Sequence, residues 1–292
     1  MEVGRCAVLG AVFSSSTVPE RPVPTPGVAV RPYEPAAVAG VEGHLEAVRS
    51  VMRRSRGGCV VSHRSAALLH GLPLVCPVPG RVEQIVPRSS GGVRTSVRHA
   101  RPLPLAEGER TEVAGVAVTT VARTLVDLAA CSPVWAAVPA VDAARAAGRV
   151  RVEELHAVAA EHPTLVGLRR ALHAVWVSID RSQGPAESLS RLVLRHSGEV
   201  PPPGFGVPAE GFDDEPLGRL AFRWGRQRVV AIVDETPDDV IDPGRSLMAA
   251  ELGELGDRVL RWGWDEVEHP HRLVRLVREA VDLRHPDRTP WY

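Results

Sequence analysis

These 292 residues specify an α/β protein, α+β in its ordering, with a β-rich middle region and a C-terminal region whose elements run α-β-β-α-β-α. Three observations carry this. Short apolar runs separated by Pro, Gly and Ser turns crowd residues 81–118, while Ala, Val and Leu at helical spacing fill residues 134–178. Two strand-like runs, residues 218–224 (GRLAFRW) and 228–235 (RVVAIVDE), then lie between helical stretches.

Residues 1–40 read as a Pro-rich arm, because Pro19, Pro22, Pro24, Pro26, Pro32 and Pro35 exclude a helix and few apolar residues are left for a core. The middle domain, residues 41–133, opens with a helix at 41–54, where Val41, Leu45, Val48 and Met52 share one face. Residues 59–61 form a short strand, and Ser62 caps a helix that Gly71 and Pro73 end. Strands follow at 81–86, 93–98, 112–114 and 116–118, then a helix at 120–130 capped by Thr119 or Thr120. Connecting helices fill 134–183, in the stretches 134–147, 152–160 and 165–178, with no convergent polar cluster expected. The last domain, 184–292, starts a helix at Pro185 that Gly198 ends, passes through a loop at 201–206 and enters the hairpin, which turns at Gly225 and Arg226. A helix at 247–255, a strand at 258–262 and a helix at 271–282 complete it.

No apolar run approaches the roughly 20 residues that a membrane span requires, so no membrane partner is expected. Residues 6–13 follow the acidic Glu2 and precede no Ala-x-Ala site, which argues against secretion. The cysteines Cys6, Cys59, Cys76 and Cys131 are scattered, without a Cys-x-x-Cys pair for zinc, and a reducing cytoplasm fits them best. Net charge is zero but unevenly placed. Residues 49–101 carry ten Arg against the one acid Glu83, and residues 199–257 carry thirteen acids against five Arg. A phosphate backbone is drawn to the first block and repelled by the second. The cluster Arg53, Arg54, Arg56 and Arg64 is the best phosphate-binding candidate.

The C-terminal pattern, a helix with Glu187 in PAESLSRL followed by GRLAFRW and AIVDE, resembles the core of very-short-patch-repair-like endonucleases of the PD-(D/E)XK superfamily. That resemblance implies a helix Glu, a strand Asp and a Glu-x-Asp that together hold Mg²⁺. Here Glu187 matches the first and Asp234 the last, but the strand Asp falls at Ala221 and the Glu of Glu-x-Asp at Ile232. Phosphodiester hydrolysis needs acids to hold the metal. Glu187 and Asp234 are therefore expected to be vestigial, with no catalytic residue, no metal and no cofactor. Glu187 also lies about 160° from the apolar stripe of its helix, which reads as a solvated position.

Residues 61–72 (VSHRSAALLHGL) and 116–129 (VAVTTVARTLVDLA) resemble the two signature stretches of AbiEi-type antitoxins, the regulators of type IV toxin–antitoxin pairs in actinobacteria. The resemblance implies DNA binding or contact with a cognate toxin. Gly27 to Val30 resemble only the tail of the family's winged helix, so the reading helix is missing. Residue by residue, His63 and His70 read as capping and packing groups, and Arg123 with Asp127, four apart, as a helix-surface pair worth a few tenths of a kcal/mol. The expected function is a non-catalytic regulatory or antitoxin-like protein that binds nucleic acid or a protein partner. The alternative is a metal-dependent endonuclease using rearranged acids, Glu187, Asp213 or Asp214, and Asp234, with Mg²⁺ as its cofactor.

Overall fold

The computed structural model describes residues 38–55, 57–235 and 242–281. Of the arm expected at 1–40, residues 1–37, which include Gly27 to Val30, lie outside the described residues, as does Arg56; residues 38–40 are not part of an arm but the first turn of a helix. The protein is of the α/β class and divides into two compact units, Tyr33–Asp180 and a second one containing Arg181–Tyr292.

The first unit opens with α1 (Val38–Arg54), whose last turn holds Arg53 and Arg54, where cations complement the helix dipole. Val48 packs with Val61, Ala66, Val82, Val116 and Val118. After β1 (Val60–Val61) comes α2 (His63–Leu69), then β2 (Val82–Ile85), β3 (Val93–Arg94), β4 (Arg98–Arg101), β5 (Arg110–Val113) and β6 (Val116–Thr119). These strands form one sheet in the order β3-β4-β2-β1-β6-β5. Pairing is mixed: β2 runs parallel to β4 and β1 parallel to β6, whereas β1–β2, β3–β4 and β5–β6 are antiparallel. The single strand expected at 93–98 is in fact a hairpin. Its chain reverses at Thr95, whose hydroxyl accepts from the N–H groups of Val97 and Arg98 and so stabilises a turn. Ser62 stands at the N-terminus of α2 as expected but does not cap it, its hydroxyl being hydrogen-bonded to His63 Nδ1 at 2.8 Å.

Helix α3 (Val121–Cys131) starts at Thr120, whose side chain accepts from the Arg123 N–H. It is buried from Arg123 to Ala130. Helices α4 (Val134–Ala146), α5 (Val152–Glu161) and α6 (Leu168–Val177) pack against it. Gly167 begins α6 at φ 87°, with its α-carbon turned toward the α3 backbone; a Cβ there would lie 2.1 Å from Ala130 O. Only glycine allows that approach.

The second unit runs α7 (Pro185–Ser197), β7 (Gly204–Glu210), β8 (Pro216–Trp224), β9 (Val229–Val233), α8 (Pro243–Glu254), β10 (Arg258–Trp262), α9 (Trp264–Glu268) and α10 (Pro270–Val281). Gly198 ends α7 at φ 63°, as its position in the sequence suggests. The sheet order is β10-β9-β8-β7, with β9 parallel to β10 and antiparallel to β8. Strand β7 was not expected. Its first residues, Gly204 to Gly206, read as part of a loop, but it is the edge strand, where Pro208, a residue without an N–H, is tolerated. Helix α9 was also unexpected. Strand β9 is buried at every position from Val229 to Val233, as is usual for a strand covered on both faces.

Candidate functional site

In the second unit a cavity of about 230 Å³ opens between α7, β8, β9 and the start of α8. Its walls include Ala221, Ile232, Leu217 and Met248, and its polar residues are Gln183, Glu187, Arg219, Asp242 and Arg245. Glu187, Ala221 and Ile232, three of the four positions aligned from sequence, therefore share one cavity. The fourth does not line it. Asp234 is held in a two-point pair by Arg261, with Nε to Oδ2 at 2.5 Å and Nη2 to Oδ1 at 3.1 Å.

Glu187 is not the solvated carboxylate that the helical wheel suggests; it is only 5 % exposed. The wheel assumes one buried face, whereas α7 is buried at every position from Ala186 to Leu194. Within this enclosure Oε1 has no hydrogen-bond partner, and Oε2 accepts only a long 3.4 Å bond from the Gln183 N–H. Burial pushes the Glu187 carboxyl up to about 7, with the neighbouring Glu235 adding to the rise and Arg219 and Arg245 opposing it. Glu235 occupies the end of α7, accepting from the N–H groups of Ala186 and Glu187 at 3.0 Å each. Gly184 permits this, because a Cβ there would lie 2.2 Å from the Glu235 carboxyl carbon. Burial likewise raises the Glu235 carboxyl above its ordinary value.

The two cations at the cavity are partly committed. Arg219 donates to the carbonyls of Gly206 and Arg181 at 3.3 and 2.8 Å. Arg245 donates to the Val233 carbonyl and lies 3.5 Å from Asp242, which caps α8. Asp213 and Asp214, in the 3₁₀ turn between β7 and β8, do not line the cavity. Among the described residues no group of three His, Cys, Asp or Glu side chains is placed to hold a metal ion.

Neither a family model, nor a curated protein, nor a solved structure matches this chain.

In the first unit, the proposed phosphate cluster breaks up. Arg64 is clamped on Glu83, through Nη2 to Oε1 at 3.1 Å and Nε to Oε2 at 3.3 Å, and Arg101 takes the same carboxylate at 3.3 Å. Arg53 and Arg54 remain exposed, with Arg53 3.8 Å from Glu46. Arg81, Arg88 and Arg94 are exposed as well, and Arg49, also exposed, lies 3.4 Å from Glu46. Burial alone would raise the Glu83 carboxyl, but the bonds from Arg64 and the charges of His63 and Arg101 bring it down to about 2.

A polar cluster forms at α3, and of the 134–183 stretch His162 joins it. Arg123, fully buried, donates through Nε to Asp127 Oδ2 at 3.0 Å and through Nη1 to Glu109 Oε2 at 2.6 Å and to the Pro104 carbonyl at 3.0 Å. His162 Nε2 lies 2.8 Å from Glu109 Oε1. The Arg123–Asp127 pair is thus an interior ion pair rather than a surface one, and the few tenths of a kcal/mol appropriate to an exposed pair do not apply. Glu109 and His162, 53 residues apart, share no local pattern, so spacing alone gave no sign of them. His63 and His70 do pack internally, His70 Nε2 lying 2.7 Å from the Thr119 carbonyl. Among the described residues no helix is long and apolar enough to cross a membrane.

Proposed function

We propose that this chain is a non-catalytic, cytoplasmic regulatory protein of antitoxin type that binds nucleic acid through the arginines of its first unit. The observation that carries this reading is the cavity lined by Glu187, Ala221 and Ile232, where two of the three positions aligned with metal-binding acids are apolar and the other carboxylate in the lining, Asp242, is engaged in capping α8. The exposed arginines supply the electrostatic attraction that sequence-independent binding to a phosphate backbone requires. The AbiEi-like stretches at 61–72 and 116–129 support the same assignment and add a toxin as an alternative protein partner. The competing endonuclease, using Glu187, Asp213 or Asp214, and Asp234, finds no support in the geometry: these acids do not share the cavity.

Two measurements test the proposal. Calorimetry with Mg²⁺ and Mn²⁺ should give no heat of binding for the wild type and a binding isotherm for Ala221→Asp/Ile232→Glu, once circular dichroism shows that the double variant is folded. Mg²⁺-dependent DNA cleavage by the wild type would overturn the non-catalytic reading. Anisotropy of a labelled DNA duplex should report binding that weakens steeply with salt.

A further inference from the structure

Many arginines of the first unit are already engaged. Arg49 and Arg53 share Glu46, Arg64 and Arg101 share Glu83, and Arg123 is tied to Glu109 and Asp127. Arg145 and Arg149 donate to the carbonyls of Ser178 and His70. Arg88, Arg94 and Arg98, by contrast, are in no ion pair among the described residues. They fall in a stretch, residues 84–106, that contains no acid at all. Residues 87–97 are exposed without a break, through the 3₁₀ turn Arg88–Ser90, the edge strand β3 and the turn into β4. This projection is nevertheless held in shape. The Thr95 N–H donates to the Arg98 carbonyl at 2.9 Å, Arg81 Nε donates to the Thr95 carbonyl at 2.6 Å, and the Thr95 hydroxyl accepts from Val97 and Arg98. Such preorganisation lowers the ordering cost of binding.

The cations stand on both faces of the hairpin. Arg94 pairs across the ladder with His99, so these two share a face, and Arg98, next to His99, points to the other. Burial holds the His99 imidazole below its ordinary value, and the charges of Arg101, Arg94 and Arg81 push the same way against Glu83. A two-stranded ribbon fits the major groove of B-DNA, about 12 Å wide, and not the minor groove, about 6 Å wide. There, guanidiniums on both faces meet a phosphate strand on either side. We propose that the β3–β4 hairpin enters the major groove of duplex DNA, with Arg94 and Arg98 on opposite phosphate strands and Arg88 adding a third phosphate contact. The assignment rests on the nucleic-acid reading of the first unit. Val97 at the turn, 59 % exposed, faces the groove floor, where a thymine methyl offers an apolar contact.

The test is fluorescence anisotropy with the whole chain and a labelled mixed-sequence duplex, across a range of salt concentrations. The wild type should prefer the duplex to a single strand of equal length by about ten-fold. Arg88→Ala/Arg94→Ala/Arg98→Ala should lower duplex affinity by about ten-fold or more and reduce the salt slope by about 2 to 3, with the melting temperature unchanged. Arg53→Ala/Arg54→Ala, at the end of α1, should lower affinity by less than about three-fold. Ser96→Glu removes no arginine but sets an acid at the exposed turn, and should weaken binding by about three-fold or more. A duplex with glucosylated 5-hydroxymethylcytosine, whose neutral sugars fill the major groove, should bind about ten-fold more weakly, while netropsin in the minor groove should leave affinity within about two-fold. Unchanged affinity in the Arg88/Arg94/Arg98 variant, equal binding of the single strand, indifference to the glucosylated duplex, or displacement by netropsin would each overturn the proposal. In all four cases a wild type that binds duplex leaves the nucleic-acid reading standing, whereas a wild type that binds no duplex overturns both.

Discussion

Glu187 and Glu83 are carboxylates buried to similar depth that are driven in opposite directions by what surrounds them. Glu83 is met by two guanidiniums and is held at about 2, below its ordinary 4.5. Its contribution to stability is therefore fully present above pH 4.5 and is lost as pH falls toward 2. Glu187 is raised by burial and by the neighbouring carboxyl of Glu235, from 4.5 to about 7. The native state then holds the proton more tightly than the unfolded chain, so stability falls as pH rises from 4.5 to 7 and levels off above. Glu187→Gln removes that loss. The variant should gain on the order of 3 kcal/mol over the wild type between pH 4.5 and pH 8, read as the change in urea midpoint across pH. A difference that does not vary with pH would mean that the carboxyl is solvated after all. The sequence named Glu187 correctly as a position and misjudged its environment, because a helical wheel cannot show that a helix is covered all round.

At the scale of elements, Arg123 fastens helix α3 to the segment before β5 and, through Glu109, to the end of α5. Arg123→Met should destabilise the protein by about 3–5 kcal/mol in urea unfolding, because it leaves Asp127 and Glu109 buried without their cation. Asp127 Oδ1 is already unpaired. A loss below about 1 kcal/mol would mean that the cluster is open to water. Gly167→Ala should cost about 2–3 kcal/mol, since its Cβ would meet the Ala130 carbonyl and its φ of 87° disfavours any side chain. Helix boundaries were legible to within a few residues where Thr120, Pro185 and Gly198 mark them. Strand β7 was not, since its Gly and Pro content signals a turn and only its edge position reconciles that content with pairing.

For the molecule as a whole, zero net charge conceals a stretch, residues 49–101, with ten Arg and the single acid Glu83, which is buried. If those arginines hold DNA, changing Arg53, Arg54 and Arg94 together to Glu should weaken duplex binding by at least ten-fold between 50 and 150 mM salt and flatten its dependence on salt concentration. Changing Arg64 to Ala should act mainly on stability, because it leaves Glu83 with Arg101 alone. Equal DNA affinity in wild type and triple variant would assign the arginines to solvent.

What the sequence determined by itself is local: the α/β class, most of the turns and caps, and the apolar character of Ala221 and Ile232, each written in adjacent residues or in a short period. The tertiary structure decided which distant groups meet. It placed Glu187 with Ala221 and Ile232 in one cavity and drew Asp234 away to Arg261. It took Arg64 from the candidate cluster to Glu83, and brought Glu109 to His162 across 53 residues. The physical reason is that burial and pairing depend on the packing of whole elements, and the energy of a charged group depends on that environment far more than on its neighbours in the chain.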